Sequence, residues 1–154
     1  MKKIVCRTAV LCCACGVFVG MAPLCVSAEL YVGAATTSIT PKLPVSLAGQ
    51  MHTRIATKVD SKVTATVLVL ESRTAAKQID QAIFVACDLV SIRGGLREAV
   101  RQRVKRRVPE IDVRKIVLSA THTHTAPTMI EGRYHLPEKG VTRPKEFVAF
   151  AADR

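Results

Sequence analysis

The sequence predicts an α/β fold, a mixed or mostly parallel sheet with flanking helices. Three observations lead there. Residues 63–70 (Val-Thr-Ala-Thr-Val-Leu-Val-Leu) are rich in β-branched side chains and alternate in polarity, as a strand does. Residues 82–87 (Ala-Ile-Phe-Val-Ala-Cys) are apolar at every position, which suits a central strand. Between these and a third apolar run at 113–120, Leu96, Val100, Val104 and Val108 recur every fourth residue as one helical stripe. Strand, helix and strand in that order is the usual way to lay two strands parallel, with a right-handed crossover.

The chain opens on a different kind of segment. Met1-Lys2-Lys3 is a positive start, residues 10–24 are mostly apolar, and Val26-Ser27-Ala28 offers small residues where a signal peptidase reads. A membrane span is the competing reading, but the run is rich in Cys, Gly and Ala and no positive stop-transfer flank follows it. Residues 1–28 are therefore expected to be an export signal and residues 29–154 the mature domain, secreted or periplasmic. Five of the six cysteines fall in the expected signal, leaving Cys87 without an internal disulfide partner. At the end of an apolar run, Cys87 reads as a small buried hydrophobe and not as a nucleophile.

Net charge is +11, from 23 Lys and Arg against 12 Asp and Glu. Such basicity suits nucleic acid or an anionic membrane surface. With no Trp and only two Tyr there is no platform for stacking bases, and an export signal points away from nucleic acid. The membrane surface is the expected partner of the two.

Along the mature chain, residues 31–34 read as a short extended segment and residues 36–44, with two prolines, as loop. Residues 49–54 are polar and irregular, and residues 71–80 form a hairpin-like return. Gly94-Gly95 opens the helix and Pro109 stops it. Its outer surface carries Arg97, Arg101, Arg103, Lys105, Arg106 and Arg107, either as a solvated face or as a contact for polyanions.

Parallel strands finish on one edge of a sheet, and ligands in open α/β folds bind there. Asp88, just past the second strand, and His122-Thr123-His124, just past the third, are therefore expected to share a crevice. In extended backbone, residues two apart point to one side, so both imidazoles can face a single ion. Imidazole is a common zinc ligand, and a catalytic zinc takes three or so protein ligands and lowers the pKa of a bound water to about 7. The plainer reading is two hydrogen-bonded surface histidines. Other hydrolase patterns are absent. No Asp-His continues the pair, no His-Glu-x-x-His helix exists, and Ser119 lies inside a strand, outside any Gly-x-Ser-x-Gly elbow.

Ala120-Thr121-His122-Thr123-His124-Thr125-Ala126-Pro127 resembles the Thr-His-Thr-His-Ser-(Gly/Ala)-Pro signature of the neutral/alkaline, non-lysosomal ceramidases. Other segments resemble the same family in the same order. They are Val32-Gly33-Ala34-Ala35 with Ile39-Thr40-Pro41, then Leu47-Ala48-Gly49, then Phe84-Val85-Ala86-Cys87-Asp88-Leu89-Val90. The resemblance implies a zinc-dependent hydrolase of the amide in an N-acyl lipid such as ceramide. It implies zinc (Zn2+) ligation by His122, and catalytic positions for His124, beside the substrate oxygen, and Asp88, orienting a ligand.

Two positions depart from the pattern: Ser38 stands where the family has Asp and Gln50 where it has Tyr. The family's second zinc histidine, its Glu, its Tyr and its serine lie far downstream of the first motif, and His135 aligns with none of them. The chain is thus expected to be a truncated portion of such a catalytic domain, lacking a complete site by itself. The alternative is a non-catalytic exported basic fragment or binding module.

Overall fold

A computed structural model of the chain describes residues 2–4 and 28–154. Residues 5–27, which hold the apolar run of the expected export signal and five cysteines, lie outside the described residues. The elements are β1 (Lys2–Ile4), β2 (Glu29–Ser38), β3 (Val45–Leu47), β4 (Arg54–Ala56), β5 (Thr64–Arg73), β6 (Gln78–Cys87), α1 (Leu96–Arg107), β7 (Ile116–Ala120) and α2 (Pro144–Asp153). No helix among the described residues is long and apolar enough to cross a membrane.

The main sheet runs β1-β2-β5-β6-β7, and β3 and β4 form a separate two-stranded hairpin. The expected parallel pair is present: β6 and β7 run together from Ile83 opposite Ile116 to Cys87 opposite Ala120, with α1 between them in the chain. The other pairings are antiparallel, so the sheet is mixed but mostly antiparallel. The cause lies in chain stretches expected to be irregular. Residues 29–38 form a full ten-residue strand bonded along the length of β5, where a short segment and a loop were expected. The polar residues 71–73 and 78–80 continue β5 and β6, narrowing the return to a four-residue turn in which Thr74 N–H donates to Lys77 O at 2.8 Å. Polar side chains do not prevent a strand where its neighbours supply the ladder.

One face of this sheet is covered. Ala65, Ile83, Cys87 and Ile116 point to the side where Leu96 of α1 and Phe147, Val148 and Ala152 of α2 are buried. The other face carries a row in cross-strand register: Ala34, Leu68, Phe84 and Val117, with Phe84 43% and Val117 51% exposed. β6 lies inside the sheet, as its apolar composition predicts, but among the described residues only one of its two apolar faces is packed.

Helix α1 starts where expected. Gly94 (φ +62) could not be another residue, since a Cβ there would stand 2.2 Å from Met129 O. Glu98 in the first turn and Lys105, Arg106 and Arg107 in the last suit the helix dipole. Helix α2 was not expected. Pro144 occupies its first turn, Arg143 N–H donates to Glu146 Oε2 at 2.8 Å, and Phe147 is fully buried, contributing about 2 to 3 kcal/mol of apolar burial. It also recruits part of the basic face of α1. Arg103 pairs with Asp153, Arg107 Nη1 donates to Asp153 O at 2.9 Å, and Arg101 Nη2 donates to Ile116 O at 3.1 Å. Three of the six cations expected to face outward are therefore tied to α2 or to β7. The surface left for an anionic membrane is correspondingly narrower.

Candidate metal centre

The chain leaves β6 and β7 side by side and stays tied beyond their ends. Thr121 N–H donates to Cys87 O at 3.0 Å and His122 N–H to Leu89 O at 2.9 Å. At His122 the backbone turns into the left-handed region, with φ +64. This differs from the extended backbone expected for the pair. A non-glycine residue at such a φ costs about 1 kcal/mol or more and persists only where its surroundings hold it.

The two rings converge nonetheless. His122 Nε2 and His124 Nε2 are 3.2 Å apart, with ring centroids at 4.9 Å and planes at 62°. His122 Nδ1 lies 2.8 Å from Val90 O. A carbonyl only accepts, so Nδ1 carries the proton and the Nε2 lone pair of neutral His122 faces His124. Two nitrogens bound at about 2.0 to 2.1 Å to one tetrahedral zinc stand about 3.3 to 3.4 Å apart. The observed separation matches that edge, and the donor set, two imidazoles with one ring anchored through its other nitrogen, suits zinc.

Sequence segments far from the histidines set this geometry. The β3–β4 hairpin grips the chain after the pair, with Ala48 N–H donating to Ala126 O at 2.8 Å and Thr128 N–H to Ser46 O at 2.9 Å. Arg54 Nη2 donates to the carbonyls of Ala48 and His124, tying the hairpin to the second histidine's backbone. Gly49 (φ +92) lies against the His124 ring, where an added Cβ would be 2.5 Å from Cγ. The Leu47-Ala48-Gly49 turn thus has a physical role as the wall behind His124.

Alternation within the motif divides its side chains between two cavities. His122 and His124 line one of about 350 Å³, together with Gln50, Ser91, Arg93, Arg133 and Tyr134. Thr123 and Thr125 line another of about 440 Å³, together with Arg54, Lys58, Lys62 and Asp88. Asp88 therefore sits at the expected sheet edge but beside the neighbouring cavity. Its Oδ2 accepts from Thr64 N–H at 3.0 Å and Thr64 Oγ1 at 2.6 Å, and its Oδ1 accepts from Thr121 Oγ1 at 3.4 Å. The partner that orients His122 is the Val90 carbonyl.

Among the described residues no group of three or more His, Cys, Asp or Glu side chains gathers as a metal site. The other strand-end candidate, Cys87, is buried, and burial pushes its thiol up to about 11, with the Asp88 charge adding to the effect. It stays a protonated, inert thiol at neutral pH. His135 lies in a loop, where its carbonyl accepts from Thr53 Oγ1 at 3.3 Å. Sequence reasoning did not single out Tyr134, Arg93 or Arg133. Tyr134 Oη donates to Gln50 O at 2.8 Å, a contact across 84 positions that no local pattern announces.

No family model and no curated protein matches the chain. Solved structures do. Neutral ceramidase from Pseudomonas aeruginosa matches with a TM-score of 0.58 and 24% identity over 65% of this chain. A ceramidase complexed with C2 matches with a TM-score of 0.52 and 23% identity, again over 65%. The match covers only 16% of each of those chains. At this identity the likeness is one of fold. About two thirds of this chain shares its fold with a small part of neutral ceramidase.

Proposed function

We propose that this chain is part of a secreted or periplasmic zinc-dependent hydrolase that cleaves the amide of an N-acyl lipid such as ceramide. The observation that carries the reading is the 3.2 Å approach of His122 Nε2 to His124 Nε2, with His122 Nδ1 already committed to Val90 O. The structural likeness to part of a neutral ceramidase, and to a ceramidase complexed with C2, supports it from a second direction.

His122 and His124 would hold the zinc, which when bound polarises the scissile carbonyl as a Lewis acid. His122 offers its Nε2 lone pair without any change of tautomer. His124 ligates through Nε2 only with its own proton on Nδ1; in the alternative role implied by the resemblance, it keeps Nε2–H and donates to the substrate oxygen. Asp88 acts at one remove. By accepting from Thr64 and Thr121 it ties the start of β5 to the segment that follows β7. A catalytic zinc needs more than two protein ligands, so turnover requires donors beyond this pair.

The test is calorimetric titration of zinc into the folded chain, with amide hydrolysis followed on N-dodecanoyl substrates in a protein containing the complete ligand set. One zinc per chain, lost in His122→Asn, supports the reading. Unchanged zinc binding in that variant would end it.

A further inference from the structure

We infer that the cavity in front of the histidine pair selects N-acyl amides that carry a carboxylate, as N-acyl amino acids do, over neutral ones. This rests on the hydrolase reading above and narrows its substrate class. The cavity holds about 350 Å³ and two of its lining residues carry full charges, Arg93 and Arg133. No Asp or Glu lines it.

Neither guanidinium is neutralised elsewhere. Arg93 Nε donates to the Ser91 hydroxyl at 3.2 Å, and Arg133 lies over the Tyr134 ring at 6.0 Å, which orients the cation without cancelling its charge. Among the described residues neither forms an ion pair. The neighbouring acid, Glu131, lines the adjacent groove with Arg93, and its Oε1 accepts from Lys145 N–H at 3.0 Å. The remaining wall is divided by character. Met51, Met129 and Ile130 offer apolar surface for an acyl chain, while Gln50, Ser91 and Tyr134 are polar.

A neutral sphingoid head would leave both exposed guanidinium groups without a counter-charge from the ligand. A carboxylate placed a bond or two from the amide supplies one. Guanidinium is suited to it, because its forked N–H groups bind a carboxylate in bidentate fashion.

The experiment compares three probes of equal chain length on the folded chain: N-dodecanoylglycine, neutral N-dodecanoylethanolamine and dodecanoate. N-dodecanoylglycine is expected to bind about tenfold tighter than the neutral amide, the advantage vanishing in Arg93→Gln/Arg133→Gln. Equal binding of the charged and neutral amides, an advantage that survives the double substitution, or no binding at all would overturn the inference. If dodecanoate binds as tightly as N-dodecanoylglycine with the same arginine dependence, the cavity holds a product carboxylate and the substrate assignment fails. Zinc titration of the same double variant separates the two claims. Zinc binding retained without carboxylate preference leaves the hydrolase reading standing, whereas zinc binding absent from the unsubstituted chain removes that reading first. Both arginines are exposed, so the variants keep their fold, which circular dichroism checks.

Discussion

The loops that follow the parallel strands β6 and β7 start from equivalent places and end in opposite states. Asp88, one residue past β6, has its oxygens taken up by Thr64 and Thr121. His122 and His124, just past β7, meet nitrogen to nitrogen at the wall of an open cavity, with one ring anchored from behind. A sheet edge brings groups near one another without making them one site. What separates the two is the kind of partner: Asp88 is held by donors of other segments, whereas each histidine's Nε2 has the other's as its neighbour.

Four measurements would break or sharpen that contrast. The largest effect is expected at the histidines. His122→Asn, which tolerates a left-handed backbone, should lower zinc affinity by at least about 100-fold in calorimetry while thermal unfolding changes little. Asp88→Ala should do the reverse, costing about 2 kcal/mol in urea unfolding because Thr64 loses both of its bonds to the carboxylate, while zinc affinity stays within about threefold. A larger loss of zinc than of stability in Asp88→Ala would place that carboxylate with the metal. Gly49→Ala, whose new methyl collides with the His124 ring, should weaken zinc about tenfold without touching either ligand. The smallest effect concerns Cys87. Its folded-state thiol is raised from 9.0 to about 11, so the unfolded chain ionises first as pH climbs. Its contribution to stability is intact below about pH 9 and is lost as pH rises toward about 11, a fall that Cys87→Ala should flatten in urea melts at pH 8 and 10.

What could be read from the sequence follows the same division. The β6–α1–β7 unit was legible because two continuous apolar runs flank a stripe that recurs every fourth residue, and because Gly94 and Pro109 mark the helix ends. The neighbourhood of the histidines was legible from spacing. Their geometry was not. The extended backbone assumed for His-Thr-His is replaced by a left-handed turn, held by Leu89 and Val90 some 32 positions earlier. Residues 29–38 were underestimated because Gly33 and Ser38 are weak strand formers and Pro41 and Pro44 drew residues 36–44 toward a loop, although Thr36 and Thr37 suit the strand that pairs with β5. Helix α2 had local signals, Pro144 and Glu146 at its start, but its stripe is short. Its importance comes from Phe147 filling a core whose walls include Ile39, Ala65, Cys87 and Leu96, all distant in the chain. The division of the basic face followed in part from that same helix, which takes up Arg103 and Arg107, while Arg101 reaches Ile116 O of β7.

The left-handed backbone at His122 has one further consequence. Glycine is the residue best suited to that conformation, so replacing the imidazole there by glycine would ease the fold while removing its most chemically useful nitrogen. On the proposed zinc role, thermal robustness and metal affinity pull this single position in opposite directions. A library screened for heat resistance alone would be expected to lose the histidine early.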